Sequence, residues 1–116
     1  MNNKQFIKDF IQNAATDKKQ RRIYCNLSCY NNTLFNYSTP LLQIDTDKNI
    51  VHFNIRRYSS STSRIQSHIR NELERNAIIK QFYYIHEYNG ANAQKWYSGG
   101  VTSTDLQRNI ANLKSL

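Results

Sequence analysis

Acidic residues are scarce in this chain: eight Asp and Glu stand against sixteen Lys and Arg, a formal net charge of +8 over 116 residues. That balance argues against an acidic, DNA-mimicking surface and favours phosphate-rich or acidic partners, with nucleic acid first. Long apolar runs are missing too. No segment approaches the roughly 18 consecutive apolar residues of a membrane span, and the opening MNNKQFIKDF lacks the apolar stretch of a signal peptide. The expectation is an intracellular protein, cytoplasmic in a bacterial host, with no membrane partner. Cysteine is limited to Cys25 and Cys29. In RIYCNLSCYN they alternate with Ile23 and Leu27 on one side of a half-buried strand, and four residues of strand span about 13 Å, too far for a disulfide. Both are expected in the core rather than on a metal. The single proline, Pro40, confines its neighbourhood to an edge or a bend.

Signature motifs are equally sparse. There is no RNP-type signature, zinc-finger spacing, KH loop or P-loop, and no internal repeat or linker. The histidines at 52, 68 and 86 stand singly, which leaves general acid–base chemistry without a supporting set. Neither an enzyme nor a cofactor nor a metal site is expected.

What is present specifies a folded domain. Apolar residues make up 39% and charged residues 21%, and eight tyrosines supply much of the buryable surface. Asn, Ile, Lys, Tyr and Phe contribute 48 of the 116 residues, a bias towards AT-rich codons that points to a low-GC bacterium or its phages and plasmids. Phe6, Ile7, Phe10, Ile11 and Ala14 recur at helical spacing and predict an amphipathic helix over 3–15, with Lys4 and Lys8 outside that stripe. The basic segment TDKKQRR at 16–22 delivers the chain into strands expected at 22–30, 33–38, 40–45 and 49–56, with DTDKN as the hairpin turn between the last two. In NIVHFNIR, Val51, Phe53 and Ile55 are expected to face the core and His52 and Arg56 the outside.

From Thr62 the period becomes helical, with Ile65, Ile69, Leu73 and Ala77 on one stripe and Arg64, His68, Asn71 and Arg75 on a flanking basic face. Residues 78–88 favour a strand, with continued helix as the alternative, and TDLQRNIANLKSL closes the chain as a capped helix. The fold class that results is α+β: a small antiparallel sheet covered by two to three helices, in one domain spanning residues 1–116.

Chemistry concentrates in IRRYSSSTSRIQSHIR, residues 55–70. A helix N-terminus offers free N–H groups to anions, and hydroxyls from Ser59 to Ser63, including Ser61 and Thr62, lie between Arg56, Arg57 and Arg64. The junction reads as a phosphate clamp, extended by His68 and Arg75 along the helix and by Lys18, Lys19, Arg21 and Arg22 in the basic turn. Single-stranded or looped RNA is bound by basic grooves with exposed aromatics, a role open to Tyr84 and Trp96 among the aromatics that alternate with Lys80, His86 and Lys95. RNA is expected ahead of DNA. The competing expectation is a protein-interaction module whose basic face docks on an acidic surface of a host protein.

YSTPLLQID, a short turn, then NIVHFNIRRYSSSTSRIQSHI, residues 37–69, resembles small proteins encoded by phages and mobile elements of low-GC Gram-positive bacteria. In that pattern a strand ends in a tyrosine and a Ser/Thr-rich run before Arg or Lys, x, Gln. The resemblance implies no particular activity. Some phage proteins of this size and origin are anti-CRISPR or other counter-defence factors, so it adds a host nucleic-acid-handling or CRISPR effector complex to the expected partners.

Overall fold

The computed structural model describes residues 1–89. The elements run α1 (Asn3–Ala15), β1 (Arg21–Tyr24), β2 (Leu27–Tyr30), β3 (Thr33–Asn36), β4 (Thr39–Asp45), β5 (Ile50–Asn54), α2 (Ser60–Arg75), α3 (Ala77–Phe82) and β6 (Tyr84–Tyr88). Strands β1 to β5 form an antiparallel meander in sequence order, and β6 joins β5 in parallel. A parallel neighbour needs a long return, and α2 with α3 provide it. The result is the expected α+β arrangement, with one parallel edge strand on an otherwise antiparallel sheet.

The helices cover one face. Phe6, Ile7, Phe10 and Ile11 of α1 and Ile65, Ile69 and Leu73 of α2 meet Leu27, Cys29, Leu34, Leu42, Ile44, Val51 and Phe53 from the sheet. Each fully buried Ile, Leu or Phe contributes about 1.5–3 kcal/mol, so this layer holds the fold. No helix among the described residues is long and apolar enough to cross a membrane.

Several expectations change. The strand foreseen over 22–30 is two strands, because the chain reverses at Cys25 and Asn26, with Cys25 at φ 51°. A two-residue turn pairs Tyr24 with Leu27 and Ile23 with Ser28, so Ile23 is turned away from the helices and is 80% exposed. Cys25 is exposed and only Cys29 is buried; both are free thiols. Pro40 lies in an interior strand, where a shift of register between Leu34 and Phe35 accommodates it. His52, expected outside, is fully buried, as is Asn54, because β5 lies between β4 and β6 with both faces covered. Ile55 lies past the end of β5 and is exposed. Asn76 ends α2 with ψ 114°, and its side chain accepts hydrogen bonds from the N–H groups of Ile78 and Ile79 to start α3. Ala77 therefore leaves the α2 stripe and is exposed, and only Tyr84–Tyr88 of the strand foreseen over 78–88 is extended. The expected helix beginning at Thr104, and Lys95, Trp96 and Tyr97, lie outside the described residues.

Candidate nucleic-acid interface

The corner from β5 into α2 is a hydrogen-bonded joint. Asn54 donates from Nδ2 to the Pro40 carbonyl (3.0 Å) and to the Tyr58 hydroxyl (2.9 Å), and its Oδ1 accepts from the Arg56 N–H (3.0 Å). Gln66 donates from Nε2 to the carbonyls of Asn54 (2.8 Å) and Arg56 (2.9 Å). Ser59 caps α2 by accepting from the Thr62 N–H, and the buried Thr62 hydroxyl accepts from Asn36 Nδ2 at 3.0 Å. The tyrosine, Ser/Thr run and glutamine are thus used mainly to hold the corner.

The arginines around the corner diverge. Arg56 stacks on Tyr58, 5.6 Å from the ring centre. Arg57 lines a groove with Ser63, Ser67 and Arg70, whereas Arg64 lines another with Ser61, Asn3 and the β1–β2 and β3–β4 turns. Arg57 and Arg64 flank different sides of α2.

A basic seam runs where α1 meets α2. Lys4 of α1 lies close enough to His68 that, after burial, it and Arg64 hold the imidazole below its usual pKa, opposed only by Glu72. Lys8 and Arg75 line one groove farther along the same two helices. Arg75 pairs with Glu72 at 3.8 Å. Among the described residues only Arg22, Arg70 and Arg75 of the thirteen Lys and Arg in positions 1–89 reach a carboxylate. The rest of that charge is uncompensated by ion pairs.

The groove beside Arg64 has a second property. Five non-glycine residues have positive φ: Asp17, Cys25, Asn31, Tyr37 and Asn49. Asn and Asp tolerate this conformation, but Cys25 and Tyr37 do not share that chemistry. Those two are the ones that line the Arg64 groove. Tyr37 also borders a larger groove of about 470 Å³ on the sheet face opposite the helices, with Arg21, Ile23, Ser28 and Tyr30. Tyr30 and Tyr37 do not stand out in the sequence because the two-residue turns that expose them lack the usual Asn-Gly signal.

Other foreseen site residues have varied settings. Lys18, Lys19 and Arg21 are exposed around the start of β1, but Gln20 between them is buried and donates to the carbonyls of Phe10 and Asn31. Arg22 packs over Phe6 at 5.1 Å and pairs with Asp9 at 3.6 Å, which makes it part of the α1–β1 contact. Tyr84 is 48% exposed on the edge strand. Beside it His52 and Tyr88 share a hydrogen bond of 2.9 Å, and burial, aided by His86, lowers His52 to about 4, while burial pushes Tyr88 up to about 12. No group of three or more His, Cys, Asp or Glu among the described residues could hold a metal ion. No family model, curated protein or solved structure matches the chain.

Proposed function

We propose that this is a small basic nucleic-acid-binding protein, RNA ahead of DNA, that works by binding rather than catalysis. The observation that carries the proposal is the α1–α2 seam, where Lys4, Lys8, Arg64 and Arg75 come together around His68, with Glu72 as their counter-charge. Lys4 and Lys8 fall outside the apolar stripe of α1 and reach the basic face of α2 only through helix packing. Cations arranged along a seam neutralise successive phosphates, and each neutralised phosphate releases counterions. A role as an accessory or counter-defence factor of the phage type is compatible with this chemistry, and the partner would then be reached through its nucleic acid.

Fluorescence anisotropy with a labelled RNA tests the proposal. Affinity should fall steeply between about 50 and 200 mM salt, and the double variant Lys4→Gln/Arg64→Gln should reduce the logarithmic slope by about 0.7–0.9 for each phosphate it no longer neutralises. A flat salt response with an unchanged slope in the variant would refute it. Purification from cells with an absorbance ratio typical of bare protein, combined with capture of an acidic protein, would favour the protein-docking alternative.

A further inference from the structure

Three exposed side chains border the groove on the sheet face opposite the helices. Ile23 is 80% exposed, Tyr37 68% and Tyr30 54%. They surround the groove of about 470 Å³ at the β1–β2 end of the sheet, and Arg21 stands directly across the strand pair from Tyr30. Adjacent antiparallel partners share a face, so the guanidinium and the phenol project side by side. No carboxylate lines this groove among the described residues, while Lys18 and Lys19 precede Arg21 on the exposed chain leading into β1.

Tyr37 is the informative residue. A bulky side chain in the left-handed region costs roughly 1–3 kcal/mol locally, and an exposed ring recovers little of it through burial. The Tyr37 N–H donates to the Asn26 carbonyl at 2.7 Å, so the backbone of this residue serves the fold while its ring stands in solvent. Its ring borders both the sheet-face groove and the Arg64 groove, so a ligand following the basic seam past Arg64 meets Tyr37 and then Tyr30.

We infer that this platform binds unpaired bases of a single-stranded nucleic acid, with Tyr30 and Tyr37 stacking on bases and Arg21 contacting the adjoining phosphate. Duplexes hide their base faces and cannot use the rings, whereas every unpaired base presents a π-face to them. The charge pattern fits this ligand, since among the described residues the groove contributes cations and rings but no acid. The inference rests on the proposed nucleic-acid binding and adds the strandedness of the ligand.

The test uses the full chain with a labelled twelve-nucleotide RNA of mixed sequence, single-stranded or annealed to its complement, at about 100 mM salt. Tyr30→Thr/Tyr37→Asn removes both rings while suiting a strand and a left-handed turn. Wild type should prefer the single strand by at least about tenfold, and the double variant should lose about tenfold or more of single-strand affinity with duplex affinity unchanged within about twofold. Tyr30→Phe/Tyr37→Phe, which keeps the rings, should bind as wild type does. Lys4→Gln/Arg64→Gln should weaken both forms. Retained single-strand affinity in Tyr30→Thr/Tyr37→Asn, with a native melting transition, overturns the platform and leaves the seam intact. Equal binding of duplex and single strand overturns it as well. If wild type binds neither form, both readings fall; if the rings govern only self-association in size-exclusion chromatography, the patch joins two copies of the chain and the inference is wrong.

Discussion

The corner between β5 and α2 and the meander end formed by β1, β2 and the β3–β4 turn both combine arginine with tyrosine, yet they use them oppositely. At the corner Tyr58 bonds Asn54, Arg56 stacks on Tyr58, Ser59 and Thr62 cap the helix, and Gln66 holds two backbone carbonyls. Few of those polar groups are left for a ligand. At the meander end Tyr30, Tyr37 and Arg21 serve the fold through their backbones while their side chains stand exposed, and Tyr37 even occupies an unfavourable backbone region. A polar cluster dense in sequence can be architectural, while rings on one strand and in a later turn stand exposed together.

Breaking the corner should have the largest effect. Asn54 is fully buried and makes three side-chain hydrogen bonds, so Asn54→Ala removes all three, the one that satisfies the Arg56 N–H included, and should cost about 2–4 kcal/mol. Urea denaturation measures it. By contrast, Arg57→Gln should leave the urea midpoint nearly unchanged, since exposed charges contribute little. A loss below about 1 kcal/mol for Asn54→Ala would show that the corner is not the joint described.

The next effect concerns acid. His52 is fully buried and its folded pKa is about 4, below the ordinary 6.5 of an unfolded chain. Between these values the unfolded state binds more protons, so stability is complete above about pH 6.5, falls as the pH drops towards 4, and levels off below it. The contribution lost by pH 4.5 is roughly 2–3 kcal/mol. His68 and His86 are shifted in the same direction, so the clean measurement is the difference between wild type and His52→Gln across this range. Identical pH profiles would exclude His52 as the source.

Much of the fold is legible in the sequence, and the failures have common causes. The 3.6-residue spacing of Phe6, Ile7, Phe10, Ile11 and Ala14 defines α1 with its observed bounds, since only one face of that helix is buried. The β1–β2 hairpin is hidden because RIYCNLSCYN keeps an unbroken alternation through Cys25 and Asn26, and nothing there signals a reversal. His52 misleads because period-2 alternation assumes one wet face, whereas a strand paired on both edges and covered on both faces has none. For the candidate site, the helical face of Arg64, His68 and Arg75 follows from spacing alone, but the nearness of Lys4 and Lys8 and the platform of Arg21, Tyr30 and Tyr37 depend on tertiary packing. The Ser/Thr run is conspicuous in the sequence, yet its neighbours Asn54 and Gln66 turn it into a joint.

The smallest predicted effect separates the two regions most sharply. Tyr37 is 68% exposed at φ 56°, so replacing it removes little buried surface and much of the backbone penalty. Tyr37→Asn should therefore stabilise the protein by about 0.5–1 kcal/mol, because asparagine visits the left-handed region at lower cost than a bulky residue does. The melting temperature should rise by a few degrees, a shift that circular dichroism resolves. Tyr58→Phe at the corner should move the other way, since it removes the hydroxyl that accepts from Asn54. Opposite signs would mean that the corner tyrosine serves stability and the turn tyrosine is retained against it. A drop in melting temperature for Tyr37→Asn would show instead that the ring is part of the packing, and the contrast between the two regions would collapse.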